Sequence, residues 1–161
     1  MTWTKNGIKL VSSIIICLCA GFIGSVFTTP AIPTWYAQLE KPIFNPPNWL
    51  FAPVWTILYI LMGISAFLVW CQLNHNRQIK VALIIFLIQL SLNTLWSVVF
   101  FGLESPLYGI IVIIALWIAV LLTILRFLKI SALAGWLLIP YIGWITFAAI
   151  LNIFIFILNI P

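Results

Sequence analysis

Charge is scarce in this sequence: 6% of its 161 residues are Asp, Glu, Lys or Arg, against 65% that are apolar. Soluble domains carry roughly 25% charged residues, so this chain cannot cover a surface that faces water. Lipid must be its solvent. Glu40 and Glu104 are the two acidic residues and His75 is the one histidine, which leaves no ligand cluster for a metal ion. The seven basic residues give a net charge of +5, but they are too few and too scattered to track a nucleic-acid backbone. Within the apolar runs no Asp, Glu, Lys, Arg or His lies away from an end. Intramembrane charges mark proton relays and ion-coupled carriers, so their absence argues against a pump, although not against a facilitator for an apolar ligand. Cysteine is sparse as well. Cys17, Cys19 and Cys71 all fall in apolar runs and read as small buried hydrophobes. Cys17 and Cys19 face different directions on a helix and cannot pair with each other.

Long apolar runs are what the sequence has in abundance. Five stand out, at about 8–28, 48–72, 80–102, 106–127 and 131–158. A hydrocarbon core of ~30 Å takes ~20 helical residues per crossing. The expected fold class is therefore an all-α membrane protein, a single five-helix bundle over residues 1–161. Ser105 and Pro106 supply a helix start, as N-cap and first helical residue. Most breaks are short, so neighbouring helices run antiparallel. The first run is longer than a signal-peptide core and no clear small-x-small site follows it, so it is expected to be retained. Lys5, Lys9, Arg77, Lys80, Arg126 and Lys129 fall on one side of the membrane and Lys41 on the other. By the positive-inside rule the N-terminus is cytoplasmic, and the C-terminus and loop 29–47 lie outside, in a bacterial cell membrane.

That loop is unlike the other connections. It holds Pro30, Pro33, Pro42, Pro46 and Pro47, interleaved with Trp35, Tyr36 and Phe44. Prolines narrow the unfolded ensemble, so the loop can hold one shape at lower entropic cost. Two roles fit: an aromatic anchor at the interface, or a lid folded over the bundle. Beneath it, three helices carry aromatic and polar residues at similar depth. Trp55 and Tyr59 are one turn apart; Gln89, Asn93 and Ser97 form an i, i+4, i+8 stripe flanked by Trp96 and Phe100; Tyr141, Trp144, Ala148 and Leu151 share a face beside Asn152. Such a set is either the wall of a pocket for a flat hydrophobic ligand or interhelical packing glued by amides.

At these residues the sequence resembles the TspO/MBR family, the tryptophan-rich sensory proteins and the mitochondrial translocator protein (peripheral benzodiazepine receptor). The matching segments are Trp35-Tyr36, Leu39-Glu40-Lys41-Pro42, Pro46-Pro47-x-Trp49, Pro53-Val54-Trp55, Leu58-Tyr59, Leu92-Asn93-x-x-Trp96-Ser97, Phe100-Phe101-Gly102, and Pro140-Tyr141-x-x-Trp144-x-x-Phe147-Ala148 through Leu151-Asn152. They cover nearly the whole chain in order. The resemblance implies a first long loop that lids a pocket binding porphyrins such as protoporphyrin IX, benzodiazepine-type ligands and, in some members, cholesterol. No obligatory cofactor is implied. Ligand contacts would come from Tyr36, Pro46, Trp55, Tyr59, Asn93, Trp96, Ser97, Trp144, Ala148 and Leu151. Some members are reported to degrade protoporphyrin IX under light, in which case Trp55 and Trp144 would be catalytic; others are linked to transport. Partners implied are the lipid bilayer, a hydrophobic small molecule and a second copy as homodimer. Phe44 stands where the family often has Trp, and the basic tail and sterol-linked pattern after Tyr141 are missing.

Overall fold

The computed structural model describes residues 2–73 and 76–160, with side chains from residue 6 onward; His75 and the side chain of Lys5 lie outside this range. Among the described residues five segments are long and apolar enough to cross a membrane: Asn6–Ala31, Asn48–Trp70, Arg77–Gly102, Pro106–Leu128 and Ala132–Leu158. The chain is an integral membrane protein of helical fold. Its outward faces carry exposed Val, Ile, Leu and Phe, among them Val11, Phe22, Leu87, Ile111 and Ile118, which suits contact with lipid tails.

Helix α1 (Thr2–Ala31) is longer than its apolar pattern suggests and contains Pro30. The sequence reading ends it at residue 28, ahead of that proline. Proline forfeits one backbone donor, and the carbonyls of a helix's last turns are commonly met by side chains. Here Thr28 Oγ1 donates to Gly24 O at 3.1 Å and Thr34 Oγ1 to Pro30 O at 2.7 Å. A short helix α2 (Trp35–Gln38) follows, then extended chain, then a 3-10 turn Asn48–Leu50 that leads into α3 (Phe51–Trp70).

Helix α4 (Arg77–Ser97) begins three residues before the expected start, because the Asn76 side chain caps it by accepting from Gln78 N–H at 2.9 Å. It runs on into a π turn, Val98–Gly102. Ser105 caps α5 (Pro106–Leu128), with Pro106 in the first turn as expected. The last span is broken into α6 (Ala132–Trp136) and α7 (Ile139–Leu158), not continuous. Pro140 explains the break, since its ring clashes with the carbonyl four residues back, at Trp136.

α1 packs along α3 and α4, and α5 along α4 and α7, while α6 reaches across to α3. Gly63 allows the α1–α3 approach: a Cβ there would lie 2.6 Å from Ile14 Cα. Ser65 Oγ donates to Ala134 O at 2.7 Å and ties α3 to α6. Toward its other end, α3 has little contact with α7. One expectation about the cysteines is corrected. Cys17 is buried, but Cys19 is exposed and Cys71 only half-buried, because two residues turn a helix by about 200°.

Candidate functional site: an aromatic cavity and a crevice behind it

Where α3 and α7 part, they leave a small cavity of about 20 Å³, tightly walled by aromatic rings. Phe51 and Trp55 of α3 face Trp144, Phe147, Ala148 and Leu151 of α7, and Trp96, Phe100 and Phe101 close the back. The π turn brings the consecutive Phe100 and Phe101 into the interior together, where both are buried. The rings meet in the offset and edge-on geometries that their quadrupoles favour. Trp96 stacks on Phe100 at 5.4 Å, Phe100 meets Phe101 edge-on at 4.8 Å, and Phe51 meets Trp144 edge-on at 6.3 Å.

Segment 32–47 contributes Tyr36 to this cavity. The Tyr36 ring is buried beside Phe100 and Phe101, and its hydroxyl donates to Asn45 Oδ1 at 2.7 Å. Burial pushes this phenol up to about 12, against the smaller opposing effect of the Asn45 bond. Lys41 Nζ sits 5.0 Å above the same ring and donates to Leu39 O at 2.7 Å. Glu40 N–H donates to Asn159 Oδ1 at 3.0 Å, and Asn159 Nδ2 returns a bond to Glu40 O at 2.9 Å. Phe44 lies edge-on to Phe154 at 5.3 Å. The segment is thus fastened from α4 to the end of α7.

Buried polar groups occupy the bundle centre. Tyr59 OH donates to Asn93 Oδ1, Asn93 Nδ2 to Tyr141 OH at 3.0 Å, and Tyr141 OH to Gln89 Oε1 at 2.9 Å. Gln89 Nε2 ends the chain without a partner. Trp96 Nε1 donates to Asn152 Oδ1 at 3.3 Å, and Asn152 Nδ2 to Pro106 O at 2.9 Å. The amides near the cavity are therefore engaged by the protein itself. A ligand there meets ring faces and apolar edges, and among the described residues lining the cavity none is charged.

A second, larger space of about 300 Å³ lies between α1 and α3. Leu18, Gly21, Gly24, Ser25 and Thr28 line it from α1; Ala52, Thr56 and Tyr59 line it from α3, and Ser97 from α4. Phe51, Trp55, Trp96 and Phe101 border both spaces, so four aromatic rings separate the two.

Residues 13–158 match the family model described as the TspO/MBR family. The chain belongs to the TspO/MBR family. It is 50% identical to the tryptophan-rich protein TspO of Archaeoglobus fulgidus, over 96% of this chain and 99% of that one. It is 39% identical to protein CrtK of Rhodobacter capsulatus, over 90% and 89% of the two chains. The human translocator protein is 36% identical over 81% of this chain and 78% of its own.

Of the residues that the TspO/MBR resemblance singles out, Tyr36, Trp55, Trp96, Trp144, Ala148 and Leu151 line the aromatic cavity. Tyr59 and Ser97 line the crevice instead. Asn93 is buried between two tyrosines. Pro46 lines neither space, and its carbonyl accepts from Asn45 Nδ2 at 3.1 Å. The α1 wall is what sequence reasoning missed. Its signal was present as small residues on one face, Gly21, Gly24, Ser25 and Thr28, which let Tyr59 and Ser97 come close: a Cβ on Gly21 would overlap the Tyr59 ring, and one on Gly24 would sit 3.0 Å from Ser97 Oγ.

Proposed function

We propose that this TspO/MBR-family protein is a membrane receptor or sensor that binds porphyrins, protoporphyrin IX foremost, and other flat hydrophobic ligands beneath segment 32–47. The observation that carries this reading is the convergence of Tyr36, Trp55, Trp96 and Trp144 on one cavity with an uncharged lining. Flat conjugated rings gain from stacking on aromatic faces, and the adjoining crevice, at about 300 Å³, has the size of a small-molecule site. Segment 32–47 acts as the roof. The distribution of basic residues supports a cytoplasmic N-terminus with this roof outside, and a homodimer is compatible with the exposed apolar helix faces.

A second reading is light-dependent degradation of the bound porphyrin. It is favoured by the placement of Trp55 and Trp144 on the same cavity, where an excited porphyrin can take an electron from indole or sensitise dioxygen. A facilitator ranks below both, since five spans do not divide into two equal repeats of the kind alternating access uses. Titrating protoporphyrin IX into the purified protein in darkness should give saturable tryptophan quenching; its absence would remove the receptor reading. Illumination that leaves the porphyrin spectrum unchanged would remove the enzyme. If the enzyme reading holds, Trp55→Phe and Trp144→Phe bleach slowly yet still bind.

A further inference from the structure

We propose that the ligand reaches the aromatic cavity sideways from the bilayer, through the crevice between α1 and α3, with the Trp55 and Trp96 indoles as the inner gate. This rests on the reading of the cavity as a ligand site. Four observations converge on it.

The crevice opens within the membrane-spanning segments, and residues that line it on both helices are exposed at its mouth: Phe22 and Ser25 of α1, Ala52 and Thr56 of α3. What fills such a mouth is what the bilayer offers. Its α1 wall runs from Leu18 to Thr29, about 16 Å of helix at 1.5 Å per residue, long enough for a flat ring system to pass edge-first.

Three hydroxyls at the mouth bond their own helices. Ser25 Oγ donates to Phe22 O at 2.7 Å, Thr28 Oγ1 to Gly24 O at 3.1 Å, and Thr56 Oγ1 to Ala52 O at 2.8 Å. These three hydroxyls are satisfied by their own helices, so an apolar ligand passing them displaces no bonded partner.

The alternative route, from water beneath segment 32–47, is fastened shut. Opening it breaks the Tyr36–Asn45 bond, both Glu40–Asn159 bonds and the Phe44–Phe154 contact, and brings the buried Tyr36 ring into water. The crevice requires only that a side chain move. Phe51, Trp55, Trp96 and Phe101 border both spaces, and rotation of the half-buried Trp55 indole would join the two.

The test follows the rate of tryptophan quenching after rapid mixing of protein in lipid vesicles with protoporphyrin IX carried in other vesicles. Ala52→Phe and Ser25→Phe narrow the mouth from opposite walls. Each should slow association about tenfold and slow dissociation by a similar factor, with the equilibrium affinity changed less than threefold. Asn159→Ala releases the roof at Glu40 and should leave the association rate unchanged. Unchanged rates in both mouth variants, or a faster rate in Asn159→Ala, would overturn the lateral route while leaving binding intact. No quenching by the unmodified protein would instead remove the binding reading beneath it. Circular dichroism of each variant verifies the fold, and the two walls give independent variants should one misfold.

Discussion

Asn93 is bonded to Tyr59 and Tyr141 at once, deep in a bundle that offers few other polar groups. In hydrocarbon an orphaned hydroxyl has no water to turn to, although measured interhelical hydrogen bonds in membranes average well below their ideal worth. Asn93→Ala strands the Tyr59 hydroxyl and leaves Tyr141 OH only its bond to Gln89, and should lower stability by about 1–2 kcal/mol, read as a lower detergent-unfolding midpoint. A midpoint equal to the unmodified protein would mean that the network contributes nothing. Tyr36 gives a prediction in pH. An exposed tyrosine ionises near 10, whereas Tyr36 is pushed to about 12 by burial. The docked, protonated form is therefore fully favoured below pH 10, and the docking of segment 32–47 weakens as pH rises from 10 toward 12. The tyrosinate absorbance lost in Tyr36→Phe should titrate near 12; titration near 10 would mean that the ring is not buried. Residues of this kind were partly legible in the sequence. Gln89, Asn93 and Ser97 stand out because amides and hydroxyls are conspicuous in an apolar run, but the sequence did not say that Asn93 would be consumed by tyrosines and Ser97 turned to the crevice.

At the scale of helices, hydropathy located all five spans because lipid demands long apolar segments, and the boundaries failed where prolines act by context. Pro30 sits in the last turn of α1 without ending it, while Pro140 divides the last span. The same residue type gave opposite outcomes, and no pattern in the sequence distinguishes them. The α1–α3 contact depends on Gly63, where a Cβ would stand 2.6 Å from Ile14 Cα and 3.0 Å from Ile14 N. Backbone cannot yield as a side-chain tip does. Gly63→Ala should therefore cost about 1–3 kcal/mol by overpacking, seen as a lower thermal midpoint in detergent. An unchanged midpoint would show that α1 is free to shift away from α3.

Over the whole molecule, the parting of α3 from α7 and the fastening of segment 32–47 to both α4 and α7 create the aromatic cavity. The family resemblance located six of its walls; the crevice beside it went unseen because glycine and serine carry no signal until the facing helix is known. The central claim is that flat hydrophobic ligands occupy this cavity. Ala148 lines it from α7, next to Trp144 and Phe147, and a larger side chain there takes up ligand space. The most direct measurement is the dissociation constant of protoporphyrin IX for the unmodified protein and for Ala148→Leu, by tryptophan quenching in darkness at matched helix content. The account predicts saturable binding that weakens at least tenfold in Ala148→Leu; equal affinity in the two proteins would contradict it.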